Sequence, residues 1–403
     1  MRFLLLAFFL AAALPAPAQD AAAIARARAA IQEALRQRPD DATLHFFMAR
    51  VDAASGDARA ATEELATAGK LGDGFLPAKP LGFEKVWDDP GFQAERARME
   101  ARLPRLDYAP NAVELEDRGL LPEGMAYDAP SESFFVGSIA ERKIVRVSRD
   151  GTVKDFTVEG AGMDNVLGLA VDAPRRILYA VSTSALTLEG RKSRRNAIFA
   201  YDVDSGRLLH RMEIAGAIGL NDVAVAAGGR VFTTDSGSGA VYEVFPDKEP
   251  KAWAAPGELP GANGLAASAD ASRLYVAHNT SIAIIDIARG GITKRIANAT
   301  RENVAAIDGL YQWHGQLIGV QNVTTPGRVV LMSLSADGAT ITAVKTLLSH
   351  HHNALDEPTT GAPTDRGFFL LAATGAAHYN AEGKIDDPGS VPKPTIVRVL
   401  LPR

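Results

Sequence analysis

Side chains able to hold a cation recur in this sequence at one repeated place. Glu123, Leu167, Asn221, Asn263, Asp308 and Asp356 each stand just ahead of a short apolar run, and all but Leu167 carry a side-chain oxygen. Carboxylates gathered in a narrow opening repel and raise one another's pKa unless a cation lies among them. A set of carboxylate and amide oxygens without His or Cys selects Ca2+ over zinc or copper, and suits it better than Mg2+, which demands tight octahedral geometry and keeps its water. The chain has no cysteine, so thiolate metal sites, disulfides and thiol nucleophiles are excluded. Asn-Gly and Asp-Gly are also turn signals. Their recurrence at one register, with Glu123 there too, favours a metal site. A second set, Ser138, Ser182, Asp235, His278 and Gln321, ends the next run of each stretch and is expected at the same opening. His278 is the candidate for proton transfer, and Asp235, Gln321 and Asp356 are candidates to contact substrate.

The elements that must position these residues are short and β-rich. From about residue 110 onward, runs such as Phe134-Phe135-Val136, Leu178-Tyr179-Ala180, Val231-Phe232-Thr233 and Leu274-Tyr275-Val276 follow the oxygen-bearing positions, which lie 44, 54, 42, 45 and 48 residues apart. A period in the forties with several strands per unit is that of a propeller blade. Six units predict a mainly β fold, a six-bladed β-propeller over residues 110–403, with an insertion near 187–196 in the long step. The innermost strands of a propeller surround its channel, so equivalent positions converge on one ring.

Residues 19–106 have a helical period instead, with Ile24, Ala27, Ile31 and Leu35 on one face and a Gly56-Asp57 turn between two further helices. Leu44, Ala49, Gly56, Ala60, Leu65 and Ala68 resemble one tetratricopeptide repeat. A small helical domain is expected, packed as a cap on the propeller or holding a protein partner. Residues 1–18 read as a cleavable leader: Arg2, an apolar run from Phe3 to Leu14 too short to span a bilayer, and Ala16-Pro17-Ala18. The mature protein is expected in the periplasm or outside the cell, with no membrane attachment. A net charge of −5 over 403 residues argues against a nucleic-acid partner. His350-His351-His352 lacks structured metal-ligand spacing and reads as loop, as does the basic run Arg191-Lys192-Ser193-Arg194-Arg195.

The propeller region is similar to the gluconolactonase/regucalcin family and, more distantly, to the diisopropylfluorophosphatase and paraoxonase propellers. Glu123 in Leu-Pro-Glu-Gly, Asn221 in Asn-Asp-Val-Ala-Val, Asn263 in Asn-Gly-Leu-Ala and Asp308 in Asp-Gly-Leu match that family's Glu, Asn, Asn and Asp in order and spacing. The resemblance implies a catalytic divalent cation, commonly Ca2+, held by these four residues, with Asp308 also serving as general base or nucleophile. The implied activity is hydrolysis of a lactone or small ester. Members acting on sugar lactones carry an Arg two positions before the middle Asn, where this sequence has Gly219. A propeller that binds without catalysis, its helical repeat recruiting a partner, is the alternative expectation.

Overall fold

The computed structural model describes residues 21–158 and 161–402, so the leader-like stretch 1–18 lies outside the described residues. Helices α1 (Ala21–Gln37), α2 (Ala42–Ser55), α3 (Ala58–Leu71) and α4 (Pro90–Glu100) open the chain. Their limits follow from capping. Asp41 accepts the backbone N–H groups of Thr43 and Leu44, Asp57 that of Ala60 and Asp89 that of Phe92, each satisfying donors that a helix start leaves unpaired. Gly56 ends α2 at φ 85°, a conformation costly for any side chain, and the chain turns directly into α3. Phe46, Phe47, Phe75, Phe83 and Phe92 fill the core between the helices, and Ala306 of the following domain belongs to the same cluster. No helix among the described residues is long and apolar enough to cross a membrane.

Six sheets follow, forming a six-bladed propeller. The innermost strands are Pro122–Asp128, Asn165–Asp172, Leu220–Ala226, Leu265–Ala267, Ile307–Trp313 and Gly361–Thr364. The first four blades are simple meanders, and the fifth adds a short parallel edge strand, Ala297–Asn298. The sixth is closed by Asn111–Glu114, which joins Thr395–Val399 from the other end of the chain. Apolar residues on both faces of the strands make the core between neighbouring blades: Phe135, Val166, Leu178 and Phe199 lie between blades one and two.

One irregularity recurs and sets up the site. In blades one, two, three and five the inner strand carries an extra residue against its neighbour. Pro122 pairs with Ser138 but Met125 with Val136, and the same step separates Val166 from Leu169, Leu220 from Val223 and Ile307 from Leu310. A bulge of this kind bends the strand and re-aims its side chains. Each of the four spans the position that the sequence repeat marks.

The helical region is seated on the loop that enters the inner strand of blade five. Asp73 N–H donates to Arg301 O (2.8 Å), Asn303 N–H to Asp73 O (2.9 Å) and Leu76 N–H to Thr324 O (2.9 Å). Asp41, the cap of α2, also pairs with Arg295 of blade four at 3.0 Å.

Candidate metal and catalytic site in the channel mouth

Glu123, Asn263 and Asp308 belong to one neighbourhood, joined by two acids that the repeat did not mark. Asp308 begins the inner strand of blade five and is held by two amides: Asn263 Nδ2 donates to Oδ1 (2.9 Å) and Asn322 Nδ2 to Oδ2 (2.6 Å). Glu123 begins the inner strand of blade one, and its backbone carbonyl accepts hydrogen bonds from Thr359 and Thr360 of blade six. Its Oε2 is buried with no hydrogen-bond partner. Asn221 stands half-buried at the bulge of blade three, and its side-chain amide makes no hydrogen bond among the described residues. Leu167, the apolar member of the set, is buried in a cluster with Leu121, Ile139 and Tyr179.

The added acids are Asp222 and Glu357. Asp222 is buried, accepting the N–H groups of Val223 (2.8 Å) and Leu265 (3.4 Å). Glu357 accepts Ala377 N–H at 2.8 Å. Burial raises the pKa of Glu123 well above its usual range, and the charges of Asp308, Asp222 and Glu357 raise it further. Burial likewise pushes Asp222 and Glu357 up to about 7. Asp308 is pushed up to about 6, its two amide donors working against the burial. Tyr311 completes the wall. Its hydroxyl accepts Gly361 N–H at 2.7 Å, and burial beside Asp222, Asp308 and Glu123 keeps the phenol protonated. Behind the ring, Tyr127, Asp222, Tyr311 and Gln312 line a channel of about 350 Å3.

The glycines in the repeated motif have a packing role. A Cβ on Gly124 would lie 1.9 Å from Leu167 O, and one on Gly264 would lie 2.2 Å from Asp308 O. The inner strands of adjacent blades approach too closely there for a side chain. Asp222 occupies the corresponding place in blade three, and its carboxylate fills the room left by Gly168, whose Cβ would meet Asp222 Oδ1 at 2.3 Å. The break in the glycine pattern at Asp222 was therefore the available signal for that acid.

Several expectations need correction. In blade six the acid near the axis is Glu357, while Asp356 is exposed and pairs through its backbone with Ala373. Glu357 has φ 57°, which turns the chain one residue later than the repeat implies. The second set does not line the opening but ties down the loops that enter the inner strands. Ser138 Oγ donates to Leu120 O, and Ser182 Oγ accepts Asp164 N–H. Asp235, fully buried, accepts the N–H groups of Ile218, Gly219, Gly237 and Ser238 and the Ser238 hydroxyl. Gln321 donates to Ala305 O (2.7 Å) and accepts Arg328 Nε (2.7 Å). With these groups spent on the fold, Asp235 and Gln321 are unsuited to binding substrate. His278 lies toward the helical region, where burial and the cations Arg295 and Arg38 lower its pKa to about 3. It is too weak a base for neutral pH, and none of the ring acids is among the charges acting on it.

No family model and no curated protein matches the sequence. Solved structures similar to this chain include a gluconolactonase from Xanthomonas campestris. It is 17% identical with a TM-score of 0.48, over 74% of this chain and 100% of that one. A luciferin-regenerating enzyme is 14% identical with a TM-score of 0.49, over 72% and 94% of the two chains. Virginiamycin B lyase from Staphylococcus aureus is 12% identical with a TM-score of 0.47, over 66% and 82%.

Proposed function

We propose that the protein is an exported, Ca2+-dependent hydrolase of a lactone or other small ester. The observation that carries this reading is the crowding of Glu123, Asp222, Asp308 and Glu357, with Glu123 Oε2 buried and unpartnered among them. Such a set is stable either by holding protons or by holding a cation. Glu123, Asn221, Asn263 and Asp308 fit a hard divalent ion through oxygen. Asn263 spends its Nδ2 on Asp308 and keeps Oδ1 for the ion. Ca2+ bound there would polarise an ester carbonyl and offset the charge its oxygen gains in the tetrahedral transition state.

The chain's own contribution is orientation and proton handling. Asn263 and Asn322 fix both oxygens of Asp308, and each oxygen keeps a lone pair for an ion or for water. As a base, Asp308 takes a proton from the water adding to the carbonyl carbon and returns it to the departing alkoxide. As a nucleophile, its oxygen bonds to the acyl carbon while the alkoxide leaves, and water then cleaves the anhydride. A single turnover in 18O-water separates the two, because label found in Asp308 identifies the second route. The test of the function is a panel of γ- and δ-lactones, aryl esters and organophosphates with and without Ca2+. Chelation and Asp308→Ala should each lower hydrolysis at least about 100-fold; full activity after chelation would overturn the reading.

The second reading is a propeller that binds its ligand without turnover while the helical region recruits a partner. Gly219 favours it, since a Cβ there would start 3.1 Å from Ala185 Cβ, in the place where sugar-lactone enzymes carry arginine. Metal binding without any Asp308-dependent hydrolysis would support this alternative.

A further inference from the structure

A second cluster of ligating side chains lies away from the channel, where the helical region meets the loop between blades five and six. Glu100, in the last turn of α4, and the adjacent His350 and His351 each place one ligating atom within 4.8 Å of the other two. Glu100 Oε1 and His350 Nε2 are 3.2 Å apart. An ion with ligands at about 2.0–2.1 Å in a tetrahedral arrangement holds neighbouring ligands about 3.3 Å apart, so this pair is already at ligating distance.

The atoms not needed for an ion are held in place. Glu100 Oε2 accepts Arg96 at 2.8 Å, and the Arg96 guanidinium in turn lies over the Trp87 ring. His351 Nδ1 is 2.9 Å from Ser349 Oγ, whose hydroxyl donates to Leu106 O, so the imidazole is anchored on that side. Metal-binding imidazoles and carboxylates are oriented by partners of this kind. His352 takes no part: its Nε2 faces Ala109 O and its Nδ1 accepts Ala354 N–H. The sequence expectation that the three histidines are loop is correct for the backbone, but it missed Glu100, which only the fold brings beside them.

We propose that Glu100, His350 and His351 form a binding site for a borderline divalent cation of the Zn2+ class, joining the helical region to the propeller. Two imidazoles and one carboxylate suit such an ion, whereas Ca2+ prefers oxygen throughout. The ligands come from opposite sides of the domain junction, so binding would latch α4 to the loop beneath it and hold the connecting residues 101–110.

The test uses the untagged full-length chain, titrated with ZnCl2 by calorimetry in excess CaCl2 so that the channel is not counted. One Zn2+ per chain is expected, with affinity falling at least tenfold in His351→Ala and in Glu100→Gln and unchanged in Asp308→Ala. Co2+ should give visible bands that both site variants lose, and Zn2+ should slow proteolysis within residues 101–110 in the parent only. Thermal melts of the metal-free variants identify any that fail to fold, and Glu100→Gln, which keeps the shape of the side chain, then decides. Absence of Zn2+ binding, or binding that His351→Ala and Glu100→Gln leave intact, would overturn the site.

Discussion

Asp308 shows how the site is built one residue at a time. Its carboxylate sits among other acids yet accepts two amide hydrogen bonds, which hold its pKa to about 6 while burial takes Asp222 and Glu357 to about 7. These acids bind their protons more tightly folded than unfolded. Between about pH 4 and about pH 7 the metal-free folded chain therefore carries more protons than the unfolded chain, and its stability falls as pH rises through that window. Thermal melts in chelator should show a Tm that declines from pH 5 to pH 8, and the gain on adding Ca2+ should widen over the same range. Glu123→Gln removes one charge from the cluster. It should flatten the metal-free decline and weaken Ca2+ binding at least about tenfold by calorimetry, a ligand carboxylate being lost. Glu123, Asn263 and Asp308 could be found from sequence because they repeat at one register. Asp222 stands one place beyond that register, where Gly124, Gly168, Gly264 and Gly309 stand in other blades, and that break in the pattern was its only trace in the sequence. Glu357 escaped because a left-handed turn shifts blade six by one residue.

At the scale of single elements, the inner strands do two jobs through the same few residues. The bulge aims the marked side chain, and the glycine after it lets the neighbouring strand come close. Gly124→Ala or Gly264→Ala should destabilise the protein by about 3 kcal/mol in urea unfolding, because the clash is with backbone that cannot yield locally. Gly389→Ala, which meets nothing closer than 3.7 Å, should leave the midpoint unchanged. The blade period was legible because every blade repeats the same apolar runs. The bulges were not, since an extra residue in a strand changes neither its composition nor, visibly, its spacing. The second-strand ends were misjudged for a related reason. Asp235 and Gln321 have the chemistry of ligand-binding residues, and only their hydrogen bonds show that they serve the loops instead.

The whole molecule is held by contacts far apart in sequence. Phe75 and Leu76 of the helical region pack with residues of the propeller, and Leu76 N–H is bonded to Thr324 O, two residues beyond Asn322, one of the two amides on Asp308. Gly74→Ala would drive a Cβ into the Arg328 guanidinium at 2.3 Å and strain a φ of 82°. It should loosen that seam, lowering Tm by several degrees and lowering hydrolysis with it, as differential scanning fluorimetry and the ester assay would show. The two-part division of the chain could be seen in its change of period, but the seam could not, because its partners are single residues with no pattern of their own.

The last sheet pairs Asn111 with Val397. During synthesis the strand Asn111–Glu114 must therefore stay without its neighbour until Thr395–Val399 has emerged, leaving open backbone donors and acceptors to any passing chain. Closing the ring joins strands far apart in sequence, the kind of pairing that slows folding. A protein cut short before Thr395 would have a permanently sticky edge, and its fate is aggregation rather than a five-bladed remnant.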